Sequence, residues 1–241
     1  DHLKHFKNLL GDGAQLGISI DYEVQDKPNG LAQAFIIGSK FIGNSNVALA
    51  LGDNLFHGEE LVSKLRNANS RKEGATIFAY RVNDPKRYGV VEFNEEGLVL
   101  NIEEKPTHPR SNYAITGLYF YDNKVVDIAK QIRPSDRGEL EITTINNHYL
   151  NAGELRVENF GRGFAWLDTG THSSMLDASN FVRTITERQG MQVGSPDEIA
   201  YRKEWITKEA LAERAKLFSK NDYGIFLNSL ITSYSVVFIG F

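Results

Sequence analysis

The chain has 241 residues, 41% of them hydrophobic, enough for a sizeable core organised as one large domain or two small ones. Its 27 basic and 31 acidic residues leave a formal net charge of −4, which removes the electrostatic case for a nucleic-acid partner but leaves room for a small anion. There is no cysteine, which excludes disulfides and thiolate zinc sites, and no run reaches the roughly 20 apolar residues that a membrane helix needs.

The N-terminus, DHLKHFKNLLGDG, is charged and carries no secretory pattern, so the chain reads as cytoplasmic, away from any membrane. It enters a helical pattern without an initiator Met, read here as the sign of a longer protein. Residues 2–10 predict a helix with Leu3, Phe6, Leu9 and Leu10 on one face and Gly11 just past its end. Residues 17–24 predict a strand, and 31–42 a helix with Leu31, Ala34, Phe35 and Ile42 on one face. The continuous apolar run in NVALALGDN predicts a strand buried on both faces of a parallel sheet. An amphipathic helix at 59–69 and a buried strand at 75–82 continue a βαβ alternation, which indicates an α/β fold.

The middle changes character. YGVVEF, GLVLNIEEKP and SNYAITGLYFYDN are three strand-like runs separated by turn chemistry, a mixed or antiparallel extension of the sheet. Helices follow at 124–132 and from near Glu139, then short strands LRVENF and GFAWLD. From Thr171 the pattern is mostly helical, with Met175, Ala178, Phe181, Val182 and Ile185 as one stripe. Ser195 followed by Pro196 marks a further helix start. A turn between helices is expected at Ser219–Gly224.

Four motifs can carry chemistry, and each has a plain alternative. Gly52-Asp53-Asn54 ends a buried strand, where open α/β sheets bind ligands, and a carboxylate there can hold Mg²⁺. The same triplet is ordinary turn composition. Asp168, in Trp166-Leu167-Asp168-Thr169-Gly170-Thr171, also ends a strand; if it meets Asp53 the pair makes cation-dependent phosphoryl or nucleotidyl transfer plausible. Thr169 or Thr171 is equally a helix cap. Glu103-Glu104-Lys105-Pro106 suits a sugar phosphate, the acid accepting from hydroxyls and the ammonium meeting phosphate; it is also a solvated turn. In Val24–Gly30, Gln25 can pair with a base edge and Gly30 admits close approach to the backbone, or the segment is only a link. The glycines at 11, 13 and 17 follow a helix and precede a strand, the reverse of a phosphate loop.

In this order, VQDKPNGLAQAF, LGDNLF, RYGVVEF, EEKP, SNYAITGLYFYDN, RGELEIT, GRGFAWLDTGTH and KNDYG closely resemble the glucose-1-phosphate thymidylyltransferases, from residue 1 to about residue 229. The resemblance implies a Rossmann-like nucleotidyltransferase fold, a mixed sheet flanked by helices with a helical C-terminal appendage. It implies one nucleotidyltransferase domain over 1–229 and an atypical apolar tail over 230–241. The implied reaction joins dTTP and glucose 1-phosphate into dTDP-glucose and pyrophosphate. By matching position, Asp53 and Asp168 resemble the Mg²⁺ ligands and, with Lys105, the catalytic set. Gln25 and Gly30 resemble the thymine pair. Gly89, Glu104, Lys105 and Ile115 resemble the sugar-phosphate pocket, with Ile115 where Val is usual. Arg137, Glu139 and Trp166 are second-rank pocket candidates. A homotetramer is implied, with a regulatory nucleotide-sugar site near His57-Gly58, where Tyr is expected in place of His57.

Three departures qualify the resemblance. The family's GGxGTRLxPxT loop and the lysine after it are not in the sequence, so the expectation is an N-terminally truncated chain with little turnover by itself. The segment ITSYSVVFIGF is uncharged and strand-prone. Thr144 stands where Asp is expected. Two other readings stay open: a nucleotidyltransferase of different base or sugar specificity, and a non-catalytic nucleotide-sugar-binding remnant.

Overall fold

The computed structural model describes residues 2–232. Helix α1, Leu3–Leu10, stops at Gly11, whose φ of 58° lets its N–H return to the Lys7 carbonyl. Its apolar stripe forms but buries no residue. The expected strand at 17–24 is absent: the Ile18 and Ile20 N–H groups turn back to the Gly13 and Asp12 carbonyls, so the segment joins no ladder. The helix expected over 31–42 is two, α2 Gln33–Ile37 and α3 Ser39–Ile42, meeting at Gly38. Phe35 and Ile42 enter the core, whereas Leu31 stays exposed.

Next come β1 Val47–Ala50, β2 Asn54–His57, α4 Leu61–Ser70 and β3 Ala75–Arg81. They are followed by β4 Gly89–Phe93, β5 Val99–Glu104 and β6 Tyr113–Tyr121. Then come α5 Val125–Gln131, α6 Ile142–Asn151, β7 Leu155–Phe160 and β8 Ala165–Asp168. Helix α6 starts later than the sequence suggests, because residues 135–139 close a turn through Gly138 N–H to Ser135 O and Ser135 N–H to Glu139 O. The C-terminal part holds α7 His172–Gln189, α8 Pro196–Arg202, α9 Lys208–Leu217 and α10 Asp222–Thr232. Ile231 and Thr232 close α10; the rest of the apolar tail, 233–241, lies outside the described residues. Among the described residues no helix is long and apolar enough to cross a membrane.

The chain divides into a unit Gln25–Gly170 and a unit made of its two ends, up to Val24 and from Thr171. In the first, a mixed sheet runs in the order β5-β4-β6-β3-β7, with β1 beside β6. Strand β3 is the buried centre, antiparallel to β6 and parallel to β7. Its side chains alternate between two cores, as a period of two requires. Ile77 and Ala79 face the cluster of Phe35, Val91, Tyr121, Ile145 and Tyr149, and Phe78 faces Phe160, Phe164 and Leu118. The antiparallel extension by β4, β5 and β6 is as the sequence predicts. Strand β1 corrects it. It is antiparallel, and only Val47 and Leu49 pack on the core while Ala48 and Ala50 are exposed. Among the described residues β1 pairs with β6 alone, and its burial alternates, so its apolar run is covered on one face only.

In the second unit, Leu211 and Leu227 centre a small helical core with Leu16, Ala200 and Ala215. Ser195 caps α8, its Oγ accepting from Glu198 N–H. Buried Asp197 accepts from Arg214 Nε at 2.6 Å and from the Tyr223 hydroxyl at 2.8 Å. A Cβ at Gly224 would lie 2.1 Å from the Phe218 carbonyl oxygen, so KNDYG serves packing here.

Asp122, only 5% exposed, ties the first unit together. It accepts from Tyr149 OH at 2.6 Å and from Gly74 N–H at 2.8 Å. Tyr149→Phe removes one donor from a buried charge and should lower the unfolding free energy in urea by about 2 kcal/mol. An unchanged urea midpoint would show that Asp122 does not depend on this bond.

Candidate functional site

The site is assembled by a strand pair the sequence reading half missed. Residues 54–57 lie directly behind the Gly52-Asp53 turn and form β2, antiparallel to β8. The register sets Asn54 opposite Asp168. Just beyond the ladder, Thr169 N–H and Oγ1–H both donate to the Asp53 carbonyl, at 2.7 and 3.0 Å. Two strand ends over a hundred residues apart in sequence are thereby held side by side. A Cβ built on Gly170 would lie 3.3 Å from Asp168 Oδ1 and 3.7 Å from Asp53 Oδ2, so both carboxylates border the same glycine.

Asp53, Asn54 and Asp168 line a cavity of about 280 Å³ with Arg87, Tyr88, Gly89, Glu104, Lys105, Ile115 and Trp166. Leu31, Gly117, Tyr119 and Thr143 contribute further wall. A separate cavity beside Asn46 and Arg71 is about 40 Å³, space for little more than a water.

The charged side chains are held individually. Asp168, 15% exposed, accepts a very short hydrogen bond from the Tyr88 hydroxyl and one from Gly170 N–H, and faces Arg87 Nη2 at 3.6 Å. Burial, then this bond to Asp168, pushes the Tyr88 hydroxyl up to about 12, so it stays a neutral donor at any physiological pH. Glu104 accepts a short bond from Thr143 Oγ1 and faces Arg137 Nη1 at 3.7 Å and Lys105 Nζ at 4.0 Å. Arg137 also pairs with Glu139 at 3.0 Å and Glu141 at 3.4 Å, so it and Glu139 brace Glu104 from behind without lining the cavity. Burial and then the Glu104 carboxylate push the Tyr119 hydroxyl up.

Backbone conformation contributes too. Lys105, directly after β5, has φ 44°, a left-handed conformation costing a lysine about 1–2 kcal/mol, and its N–H donates to Tyr88 O at 3.0 Å. Gly89 is the point of closest approach: a Cβ there would stand 3.2 Å from Ile115 Cδ1, 3.3 Å from Thr143 Oγ1 and 3.4 Å from Glu104 Oε2.

Gln25 and Gly30 are brought together but lie outside this lining. Gln25 Nε2 donates to Gly30 O at 3.1 Å and to Gln33 Oε1 at 2.7 Å. At Gly30, with φ 101°, the close approach is made by the chain itself, since a Cβ would lie 2.3 Å from Leu140 O. Gly58 also has a packing reason, with Phe164 2.3 Å from a built Cβ.

The lining sets three carboxylates, Asp53, Glu104 and Asp168, against two cations, Arg87 and Lys105. A phosphate ester entering such a cavity requires an added cation. Among the described residues no three or more His, Asp or Glu side chains group to hold a metal. An all-oxygen pair fits a hard ion such as Mg²⁺, which takes one or two carboxylates and completes its shell with substrate phosphates and water.

Tyr88, Thr143, Tyr119, Asn54 and Gly117 were not legible as site residues. Their signal is a hydroxyl, amide or missing side chain placed by elements distant in sequence.

The profile of the family described as nucleotidyl transferase matches residues 1–185. A glucose-1-phosphate thymidylyltransferase of Xanthomonas campestris pv. campestris is 56% identical over 93% of this chain and 76% of its own length. One from Neisseria meningitidis is 54% identical over 94% of this chain and 78% of its own length. A crystal structure from Bacillus anthracis, assigned as a glucose-1-phosphate thymidylyltransferase and in complex with a sucrose, superposes with a TM-score of 0.68 at 39% identity, covering 80% of this chain and 75% of that one. The chain belongs to the glucose-1-phosphate thymidylyltransferase family of nucleotidyl transferases.

Proposed function

We propose that the cavity of unit Gln25–Gly170 is where a thymidylyl group passes from dTTP to glucose 1-phosphate, giving dTDP-glucose and pyrophosphate. The observation that carries this is the convergence of Asp53, Asp168, Glu104 and Lys105 on one cavity in a chain of this family. An oxygen of the sugar phosphate attacks the α-phosphorus in line. The new P–O bond forms as the bond to the β-phosphate breaks, and its electron pair leaves on pyrophosphate. The nucleophile is already anionic, so no protein base is needed, and positioning and charge neutralisation remain as the protein's tasks.

Lys105 meets the sugar phosphate as a point charge. Glu104, oriented by Thr143 and Arg137, accepts from sugar hydroxyls. Gly89 and Ile115 close the wall around the sugar. Gln25, its NH₂ donating to Gly30 and Gln33, offers its Oε1 to the thymine N3–H, with Gly30 as its partner in recognition. Asp53 and Asp168 would hold Mg²⁺, which when bound supplies the positive charge that the lining lacks. The proposed setting is cytoplasmic and the proposed assembly a homotetramer, as the family resemblance implies.

Calorimetry with dTDP-glucose and pyrophosphate release from dTTP and glucose 1-phosphate with Mg²⁺ test this reading. Binding of dTDP-glucose in preference to UDP-glucose is expected, and a protein that binds neither sinks it. Asp53→Asn and Asp168→Asn should each lower kcat by about a hundredfold or more.

The sugar side makes separate predictions. Lys105→Ala should raise KM for glucose 1-phosphate at least about tenfold, the loss of one charged contact. Gly89→Ala should fold normally, because its φ is not left-handed, yet raise the same KM by about tenfold through crowding. Equal KM values for wild type and both variants would move the sugar phosphate out of this cavity.

A further inference from the structure

We infer that Asn54 is a positioning residue that sets the orientation of the Asp53 carboxylate for its cation, an inference that rests on the reading of Asp53 and Asp168 as a cation pair. Thr169 holds only the main chain of Asp53, through its carbonyl. The Asp53 side chain is exposed, so burial does not fix its rotamer. Asn54 supplies the missing constraint: its Nδ2 donates to Asp53 Oδ1 at 2.7 Å.

The direction of that bond is over-determined. Asn54 Oδ1 accepts from Trp166 Nε1–H at 2.6 Å and from Gly117 N–H at 3.0 Å. An indole and a backbone amide are donors only, so the side-chain amide cannot be flipped, and its NH₂ must face Asp53. Gly117 also fixes where the amide sits, since a Cβ there would lie 2.7 Å from Asn54 Cγ and Oδ1. One side chain therefore ties β2, β6 and β8 to one carboxylate. With Oδ1 of Asp53 occupied by Asn54, Oδ2 is the oxygen left towards Gly170, where Asp168 Oδ1 also lies. Asp168 reaches its own orientation by other means, from Tyr88, Arg87 and Gly170. The two carboxylates are thus preset independently before any ion arrives, which lowers the cost of ordering them on binding.

Two variants separate this role from a merely structural one. Asn54→Ala removes the donor and the acceptor. Asn54→Asp keeps an oxygen for Trp166 and Gly117 but replaces the donor facing Asp53 with a second carboxylate oxygen. Cation binding is read from terbium(III) luminescence excited through tryptophan, with dTDP-glucose bound and no turnover. Asn54→Ala is expected to weaken terbium binding about tenfold or more at a melting temperature near wild type, the usual scale for losing an outer-shell partner. Asn54→Asp is expected to lower kcat at saturating Mg²⁺ by about tenfold while KM for glucose 1-phosphate moves less than about threefold. Wild-type terbium affinity in folded Asn54→Ala, or kcat within about twofold of wild type in Asn54→Asp, overturns the inference alone. Should Asn54→Ala fail to fold, Asn54→Asp decides by itself. A wild-type protein that binds no terbium overturns the cation pair, and the inference with it.

Discussion

The pairing of β2 with β8 is the constraint on which the site depends. Four residues a side is a short ladder, and its value is positional rather than energetic. It puts Asn54 across from Asp168 and lets Thr169 close onto Asp53, so two turns with no reason of their own to meet become one edge of a cavity. A shift of one residue would turn every side chain of β2 to the opposite face and take Trp166 away from Asn54. The indole bond and the fit of Asn54 against Gly117 both penalise that slip. Register and site geometry are therefore selected by the same contacts.

Charge explains the rest of the arrangement. A cavity with more carboxylates than cations would repel phosphates, and its acids would repel one another. Each is accordingly given a dedicated partner: Asn54 for Asp53, Tyr88 and Arg87 for Asp168, Thr143 and Arg137 for Glu104. The hydroxyl donors are neutral, so they orient carboxylates without cancelling the charge that attracts a cation. The high pKa of Tyr88 keeps its proton in place for this task. The strained backbone at Lys105 fits the same logic: cost is accepted at the residue whose ammonium borders the cavity, while the neighbouring β4–β5 ladder holds it.

The local alphabet of the chain was enough for several things. Short apolar runs bounded by turn chemistry marked β3, β4, β5 and β6, because β-prone residues and the turns that end them are local features whatever the strand pairs with. Ser195 and Pro196 marked the start of α8, because capping is satisfied within one turn. Gly-Asp-Asn and Leu-Asp-Thr-Gly marked candidate carboxylates, because turn residues at strand ends are where side chains can meet ligands. Strand β1 was misjudged for a physical reason. An apolar run reports what a strand can bury, and whether both faces are covered depends on neighbours the run does not contain. The segment at 17–24 failed likewise: its β-prone residues found local carbonyls instead of a ladder.

Sequence by itself determined most of the element types, the family, and which carboxylates and lysine were available. Tertiary structure decided which of them share a cavity, and it separated glycines of different kinds. Gly89 is small because a cavity wall passes there, whereas Gly30, Gly58 and Gly224 are small because the chain packs against itself. It also decided who orients whom: Tyr88 and Asp168, Thr143 and Glu104, Trp166 and Asn54 lie far apart in sequence and meet only in the folded unit. Turns, caps and alternation are set by bonds within a few residues and can be read along the chain. The orientation of a carboxylate is set by donors that reach it through space, and only the folded chain brings them there.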